Sequence, residues 1–272
     1  MVDLSRRRLA IGLALAPTVM SAASWSASKD EVSMEGTLPP LPEDLLVFAD
    51  EPAYREYSTN EFVGTGKPTE GEINMAAAIA LKAPFGVAPY QVAEFFLAVA
   101  TEKFGKEWQP YAREWPVRGN PLIMGFFRTT KTIPQGDTTP WCAAFVNWCI
   151  AQGNARAALK DGSFSDRELN VSSRSASSGS FRCWAETKTP KIGDLAVFAE
   201  PGTERLGCSG SGHVSFYYGR ASDGRLRILG GNQTLKGTSG AVTVGLYPLD
   251  GAESGRLKFL GFRTSPALHI QA

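Results

Sequence analysis

The residues best suited to catalysis are a cysteine at the start of a predicted helix and a histidine far downstream. Cys142 follows Pro140 and Trp141 and opens the apolar run CAAFVNWCIAQG, which Gly153 is predicted to close as C-cap. Unsatisfied backbone N–H groups and the dipole at a helix N-terminus favour a thiolate. Cys142 is therefore the candidate nucleophile, although a lone cysteine in an apolar helix is more often structural. Cys149, two turns along, is assigned that structural role.

A cysteine nucleophile needs a general base, and histidine is the usual choice near neutral pH. The sequence contains two histidines. His269 lies in the last four residues, where chains commonly fray, whereas His213 follows the glycine-rich GCSGSG. By elimination His213 is the candidate base, although a lone histidine is more often incidental.

A third polar group should orient the imidazole of such a base. Asn232, in ILGGNQ at the end of the next predicted strand, is the candidate, and Gln233 is its competitor. Because adjacent strand residues face opposite sides, only one of the two is expected to point at His213. The alternative for Asn232 is a turn residue after two glycines.

The elements that must position these side chains are helices followed by strands. Residues 71–128 contain two predicted helices, INMAAAIALKAPF and PYQVAEFFLAVATEKFGKEWQPYA, with a break at Gly105, and a third short segment in GNPLIMGFFRTT. A Ser/Gly/Asn-rich stretch at 161–180 predicts a disordered or functional loop. The β-rich runs LAVFAE, HVSFYYGRA, RLRILGGN, VTVGLYPL and LKFLGFRT follow. This order predicts an α+β domain, with the catalytic part at 129–268.

The N-terminus carries targeting information. Residues 1–28 contain SRRRLAIG, an apolar run and then small residues, which predicts a signal peptide cleaved after Ala23. The arginines resemble a Tat signal, with an ordinary Sec signal as the alternative. Either route predicts an exported protein, periplasmic or secreted, with no stable membrane span after cleavage. Residues 29–70, rich in Pro, Glu, Thr and Gly, indicate a linker or a loosely packed arm.

Charge and cysteine content narrow the function further. The net charge is +1, and removal of a leader with three arginines and one aspartate leaves 25 basic and 26 acidic residues. This balance argues against a nucleic-acid partner. If Cys142 stays reduced in an oxidising compartment, at most one intramolecular disulfide can form among the other three cysteines. Cys183 with Cys208 is the predicted pair, although spacing cannot establish connectivity.

Five motifs occur in a fixed order over about residues 115–266: DTTPWCAAFVNWCI, KIGDLAVFAE, GHVSFYYGR, ILGGNQ and LGFRTSP. Together they resemble the cysteine hydrolases of the CHAP/NlpC superfamily. The resemblance implies a papain-like core whose nucleophile helix packs on a small antiparallel sheet, with Cys142 as nucleophile, His213 as base and Asn232 as orienting residue. Family members cleave peptidoglycan as N-acetylmuramoyl-L-alanine amidases or endopeptidases. The implied substrate is therefore cell-wall peptide.

Substrate-binding candidates flank these motifs: Trp141, Asp137, Trp184 and Gln233. Asp137 matches an acidic position of the family, where it would orient substrate amines, or it complements the dipole of the following helix. The run SFRCWAE keeps Trp184 but inserts Cys183, which departs from the family pattern. The backbone N–H of Cys142 is the expected first donor of an oxyanion hole.

Three other functions compete with a cysteine hydrolase of the cell wall. A zinc site is disfavoured because no close Cys/His pair is present, so no metal or cofactor is expected. A catalytically silent module that binds cell wall or an inhibitor would keep the fold without the chemistry. A protein protease or acyltransferase would use the same nucleophile on other substrates.

Overall fold

A computed structural model describes residues 66–158, 163–233, 240–248 and 257–270. The predicted signal peptide at 1–28, its cleavage site after Ala23 and most of the predicted arm at 29–70 lie outside the described residues.

Between residue 66 and the candidate nucleophile the structure has three α-helices, as the sequence predicted: α1 (Glu70–Lys82), α2 (Pro89–Ala100) and α3 (Pro121–Phe126). A capping box starts α1, because Thr69 and Glu72 each bond the backbone N–H of the other. Pro89 occupies the first turn of α2, where a missing N–H costs nothing. This helix ends at Ala100, five residues before the predicted break at Gly105. None of the helices in the described ranges has the length and apolar character that a membrane span requires.

The helix that begins at the candidate nucleophile, α4, spans Cys142–Gly153, and every residue in it is buried. The predicted C-cap at Gly153 is wrong by one residue, since Asn154 occupies that position. Both the backbone N–H and the side-chain amide of Asn154 donate to the Ile150 carbonyl, at 3.1 Å and 2.8 Å, which closes the helix end. Gly153 serves another purpose: a Cβ there would lie 2.6 Å from the Val87 carbonyl oxygen, so glycine permits the close approach of that loop.

Six strands form one antiparallel sheet in the order β1-β6-β2-β3-β4-β5. They are β1 (Ala185–Thr187), β2 (Leu195–Ala199), β3 (Gly212–Arg220), β4 (Leu226–Gln233), β5 (Ala241–Tyr247) and β6 (Lys258–Thr264). The five predicted β-rich runs correspond to β2 through β6, and β1 was not predicted. The α+β class is confirmed, and the arrangement is consistent with a papain-like fold.

The two faces of the sheet are both apolar but carry different neighbours. Val197, Val214 and Phe216 belong to the main core, which also contains α2 and α4. Alternate residues such as Phe198 and Tyr217 form a smaller cluster on the opposite face. Burying each large apolar side chain contributes about 1.5–3 kcal/mol, so the main core fixes α4 firmly against β3 and β4.

The stretch between α4 and the sheet is largely ordered by α4 itself. It contains a short helix, α5 (Asp166–Asn170). The buried Asn147 of α4 donates to the Ser175 carbonyl at 2.8 Å and accepts from Arg174 N at 3.2 Å. The predicted disulfide Cys183–Cys208 is confirmed, and it ties the start of the sheet to the loop that precedes His213.

Candidate active site

Cys142 occupies the first turn of α4, with its sulfur close to the backbone of β3. It is free and 3% exposed. Burial raises the pKa of its thiol to about 11, although backbone hydrogen bonding by Val214, Ala143 and Cys142 itself lowers this pKa in part. The N–H groups of the helix terminus therefore act as expected, but burial outweighs them. In this buried site the thiol stays protonated near neutral pH, contrary to the thiolate that the sequence led us to expect.

His213 lies at the second position of β3 and is 5% exposed. Its ring is nearly parallel to that of Tyr247, at 6.4 Å and 13°, and is 6.2 Å from that of Phe198. Burial lowers the pKa of the imidazole to about 4, because an apolar site disfavours the charged ring. Its Nε2 is 2.7 Å from Ser215 Oγ. The ring is thus neutral near pH 7, which is the form a general base requires.

Two contacts bring the cysteine and the histidine into one site. The backbone of Val214, the residue after His213, hydrogen-bonds the Cys142 thiol. Tyr247, whose ring faces His213, also interacts electrostatically with Cys142; burial first and that interaction second raise the pKa of its phenol. Among the described residues no hydrogen bond joins the thiol to the imidazole. Val214 and Tyr247 therefore connect the surroundings of the two groups, both of which are uncharged near neutral pH.

The end of β4 is irregular at the predicted third residue. The pairing of β4 with β5 shifts register between Gly230 and Gln233, which marks a β-bulge. Asn232 lies within this bulge with a φ of 55°, a left-handed conformation that asparagine tolerates. A Cβ added at Gly240 would lie against both Asn232 Oδ1 and the Glu114 carboxylate. The Asn232 side chain is therefore directed towards Glu114.

Gln233 lies on the same side of the sheet as Ser215. It is 2% exposed, and its Nε2 donates to the Thr243 carbonyl at 2.9 Å, while its Oε1 has no hydrogen-bond partner among the described residues. A Cβ at Gly230 would meet both Ser215 Oγ and Gln233 Nε2. The bulge thus interrupts the simple alternation on which the sequence-based choice between Asn232 and Gln233 depended.

Trp141 is anchored by a residue that the sequence analysis did not single out. It is fully buried, and its Nε1 donates to Glu114 Oε1 at 2.9 Å. Glu114 Oε2 accepts from Gly240 N at 3.0 Å, so one carboxylate joins the residue before the nucleophile to the start of β5. Burial raises the pKa of Glu114, and its two hydrogen bonds lower it in part. No motif surrounds Glu114, so sequence offered no signal for it.

The other substrate-binding candidates differ in exposure. Asp137 is fully buried, and its Oδ2 accepts from Trp115 N and Asn120 N, both at 2.8 Å. Burial raises its pKa well above the usual range. Trp184 is half-buried, and its ring lies 5.0 Å from that of Phe181. Trp141, Asp137 and Gln233 therefore have interior side chains in this structure, whereas Trp184 is partly accessible.

The second histidine is held away from this site. His269 Nε2 lies 2.7 Å from Asp194 Oδ1, and Asp194 Oδ2 accepts from Lys191 N at 2.7 Å. This pair ties the end of the described chain to the turn before β2, so His269 is not frayed. In the described ranges, no three His, Cys, Asp or Glu residues come together as a metal site.

Comparison with known families agrees with this architecture. The CHAP domain model matches residues 134–232, which include α4, β3 and the GGN turn. No curated protein and no solved structure matches significantly. CHAP domains are typical of hydrolases that act on peptidoglycan. Residues 134–232 therefore match a CHAP domain, consistent with a cysteine hydrolase domain of the CHAP/NlpC type.

Proposed function

We propose that this protein is an exported cysteine hydrolase that cleaves amide bonds of peptidoglycan stem peptides, as an N-acetylmuramoyl-L-alanine amidase or an endopeptidase. Cys142 is the nucleophile and His213 the base. The observation that carries the assignment is the hydrogen bond between the Val214 backbone and the Cys142 thiol, because it holds the sulfur beside the histidine-bearing strand. The CHAP match supports the substrate class.

Acylation starts from two neutral groups. With a thiol pKa of about 11 and an imidazole pKa of about 4, a standing thiolate–imidazolium pair is disfavoured until substrate binds. His213 therefore removes the thiol proton as Sγ attacks the scissile carbonyl carbon. The carbonyl oxygen becomes an oxyanion that the Cys142 backbone N–H stabilises. The imidazolium then returns the proton to the leaving amine, and the C–N bond breaks.

Deacylation uses the same base. A water molecule enters where the amine left, and His213 takes its proton as the oxygen attacks the thioester carbonyl. The C–S bond breaks, the imidazolium of His213 returns its proton to the leaving thiolate, and the carboxylic acid product loses its own proton to solvent water. All steps use groups of this chain and water, without a metal or a cofactor.

Asn232 remains the proposed third polar residue of the site. Its side chain lies beside Glu114, which bonds Trp141, and this position supports a contact with substrate near Trp141. Ser215, which hydrogen-bonds the His213 ring, is the alternative residue for orienting His213. Trp184, which is partly accessible, supports a substrate-facing role better than the interior Asp137 and Gln233 do.

Export is part of the proposal because peptidoglycan lies outside the cytoplasm. Replacing Arg6, Arg7 and Arg8 by lysine is expected to leave full-length precursor in the cytoplasm if the Tat route is used. Unchanged export in a strain without Tat would assign the leader to the Sec route instead.

Digestion of purified sacculi tests the activity directly. We expect soluble fragments whose masses correspond to amide hydrolysis, and the new termini distinguish an amidase from an endopeptidase. The Cys142→Ala protein is the matched blank. Binding to sacculi without any fragment would favour the silent wall-binding module. Cleavage of protein substrates alone would favour an ordinary protease.

A further inference from the structure

His213 has a hydrogen-bond partner to which the sequence did not point. Its Nε2 lies 2.7 Å from Ser215 Oγ, and the two residues are 5% and 0% exposed. Because they are two apart on β3, both side chains lie on the same face of the sheet. A buried contact of this length is a full hydrogen bond, and losing one partner inside a protein costs more than on its surface.

The neighbouring strand leaves room for this hydroxyl. A Cβ added at Gly230 of β4 would overlap Ser215 Oγ and displace it from the ring. Glycine is needed here for space, since the positive φ of this turn belongs to Asn232. Gly230, the first glycine of the GGN turn, therefore leaves the space that the Ser215 hydroxyl occupies.

We propose that Ser215 is the positioning residue of His213: its Oγ accepts a hydrogen bond from Nε2–H and leaves the lone pair on Nδ1. This inference rests on the proposed function, in which His213 is the base. With Nε2 occupied, Nδ1 is the nitrogen that takes the proton from Cys142 Sγ. The imidazolium so formed keeps its Nε2–H on Ser215, so the bond persists through the cycle.

Asn232 fits this orienting task less well. Its Oδ1 is directed towards Glu114, whereas the ring hydrogen bond of His213, among the residues that the structure describes, goes to Ser215. A hydroxyl is an uncharged acceptor and stabilises an imidazolium less than a carboxylate does. It therefore serves mainly to select the tautomer and hold the ring.

Nuclear magnetic resonance of 15N-histidine-labelled protein tests the tautomer without substrate. The chain has two histidines, and His269→Gln assigns their signals. Near neutral pH we expect the His213 Nε2 to be protonated and Nδ1 unprotonated. In Ser215→Ala we expect a mixture of tautomers, and kcat on sacculi falls about tenfold with KM unchanged. Thr243→Val, which removes a buried hydroxyl not bonded to the ring, is expected to change neither readout.

Three results would overturn the assignment. One is a wild-type spectrum with the proton on Nδ1, which needs no variant to fold. Another is a Ser215→Ala protein that matches Thr243→Val in tautomer and kcat. The third is a change of tautomer in Asn232→Ala but not in Ser215→Ala. If no sacculi are cleaved, the proposed function fails, but the spectrum still decides the role of Ser215.

Discussion

Cys142 and Cys149 lie on the same face of α4, two turns apart, yet their surroundings differ in kind. Both are free, buried thiols with pKa values raised by burial. Around Cys142, the backbone of Val214 and Ala143 lowers the pKa in part, and Tyr247, whose ring faces His213, interacts electrostatically with the thiol. Around Cys149, only its own backbone opposes the effect of burial.

This difference shows that the helix terminus supplies directed N–H groups to Cys142, whereas the helix interior supplies none to Cys149. Under the proposed function, position along one helix separates the nucleophile from an inert cysteine. It also shows that the reactive site is uncharged before substrate binds, because burial dominates both Cys142 and His213.

The largest expected effect comes from removing each thiol in turn. Cys142→Ala should lower hydrolysis of sacculi by at least about three orders of magnitude, since the acyl-enzyme cannot form. Cys149→Ala should keep kcat and lose about 1 kcal/mol of unfolding free energy, because a small buried group is removed. Release of soluble fragments from sacculi measures the activity, and urea denaturation measures the unfolding free energy. Equal losses of activity in both variants would contradict the proposal that Cys142, and not Cys149, is the nucleophile.

A second effect concerns pH and stability at the reactive end. The pKa of His213 is about 4 in the folded protein against 6.5 normally, so the unfolded chain binds the proton first as pH falls. Stability is therefore lost between about pH 6.5 and 4. Relative to His213→Gln, the wild type should lose about 3 kcal/mol more between pH 7 and pH 4.

Urea denaturation at both pH values measures this difference. Cys149→Ala is the control, and it should keep the wild-type pH dependence because His213 is intact. Identical pH dependence in wild type and His213→Gln would show that the imidazole is not buried in a neutral form.

The smallest expected effect concerns the anchor of Trp141. Glu114→Gln keeps an acceptor for Trp141 Nε1 but places an amide N–H group against Gly240 N, two donors facing each other. We expect a loss of about 1–2 kcal/mol in unfolding free energy. We also expect a several-fold lower kcat, because Trp141 precedes the proposed nucleophile. The exposed Glu107→Gln is the matched control. Equal stability of the two variants would remove Glu114 from the site.

Sequence predicted what local pattern determines. The apolar run of α4 and the period-two strands were predicted correctly. The Cys183–Cys208 pair was also predicted correctly, although spacing alone did not establish it. The sign of the Cys142 pKa shift was not, because it depends on how deeply the sheet and helices bury the thiol. Simple alternation along β4 is interrupted at Asn232 by a bulge with a positive φ, which leaves no strong mark in sequence.

Other parts of the site arise from contacts between distant segments. Glu114 meets Trp141 across 27 residues, and His269 meets Asp194 across 75. Neither pair has a local pattern that could reveal it. Ser215 lay inside the motif GHVSFYYGR, and its spacing of two from His213 placed both on one face of a strand. That spacing was the one available signal for a residue that the analysis of motifs passed over.

Trapping the acyl-enzyme tests the nucleophile most directly. The protein is mixed with a stem-peptide substrate, quenched in acid during turnover and digested with trypsin for mass analysis. Cys142 and Cys149 share the tryptic peptide 132–156, so fragment ions must locate the adduct. We predict a substrate-derived acyl group on Cys142 that persists in Cys149→Ala and disappears in Cys142→Ala. An acyl group on Cys149, or turnover that continues in Cys142→Ala, would contradict the assignment.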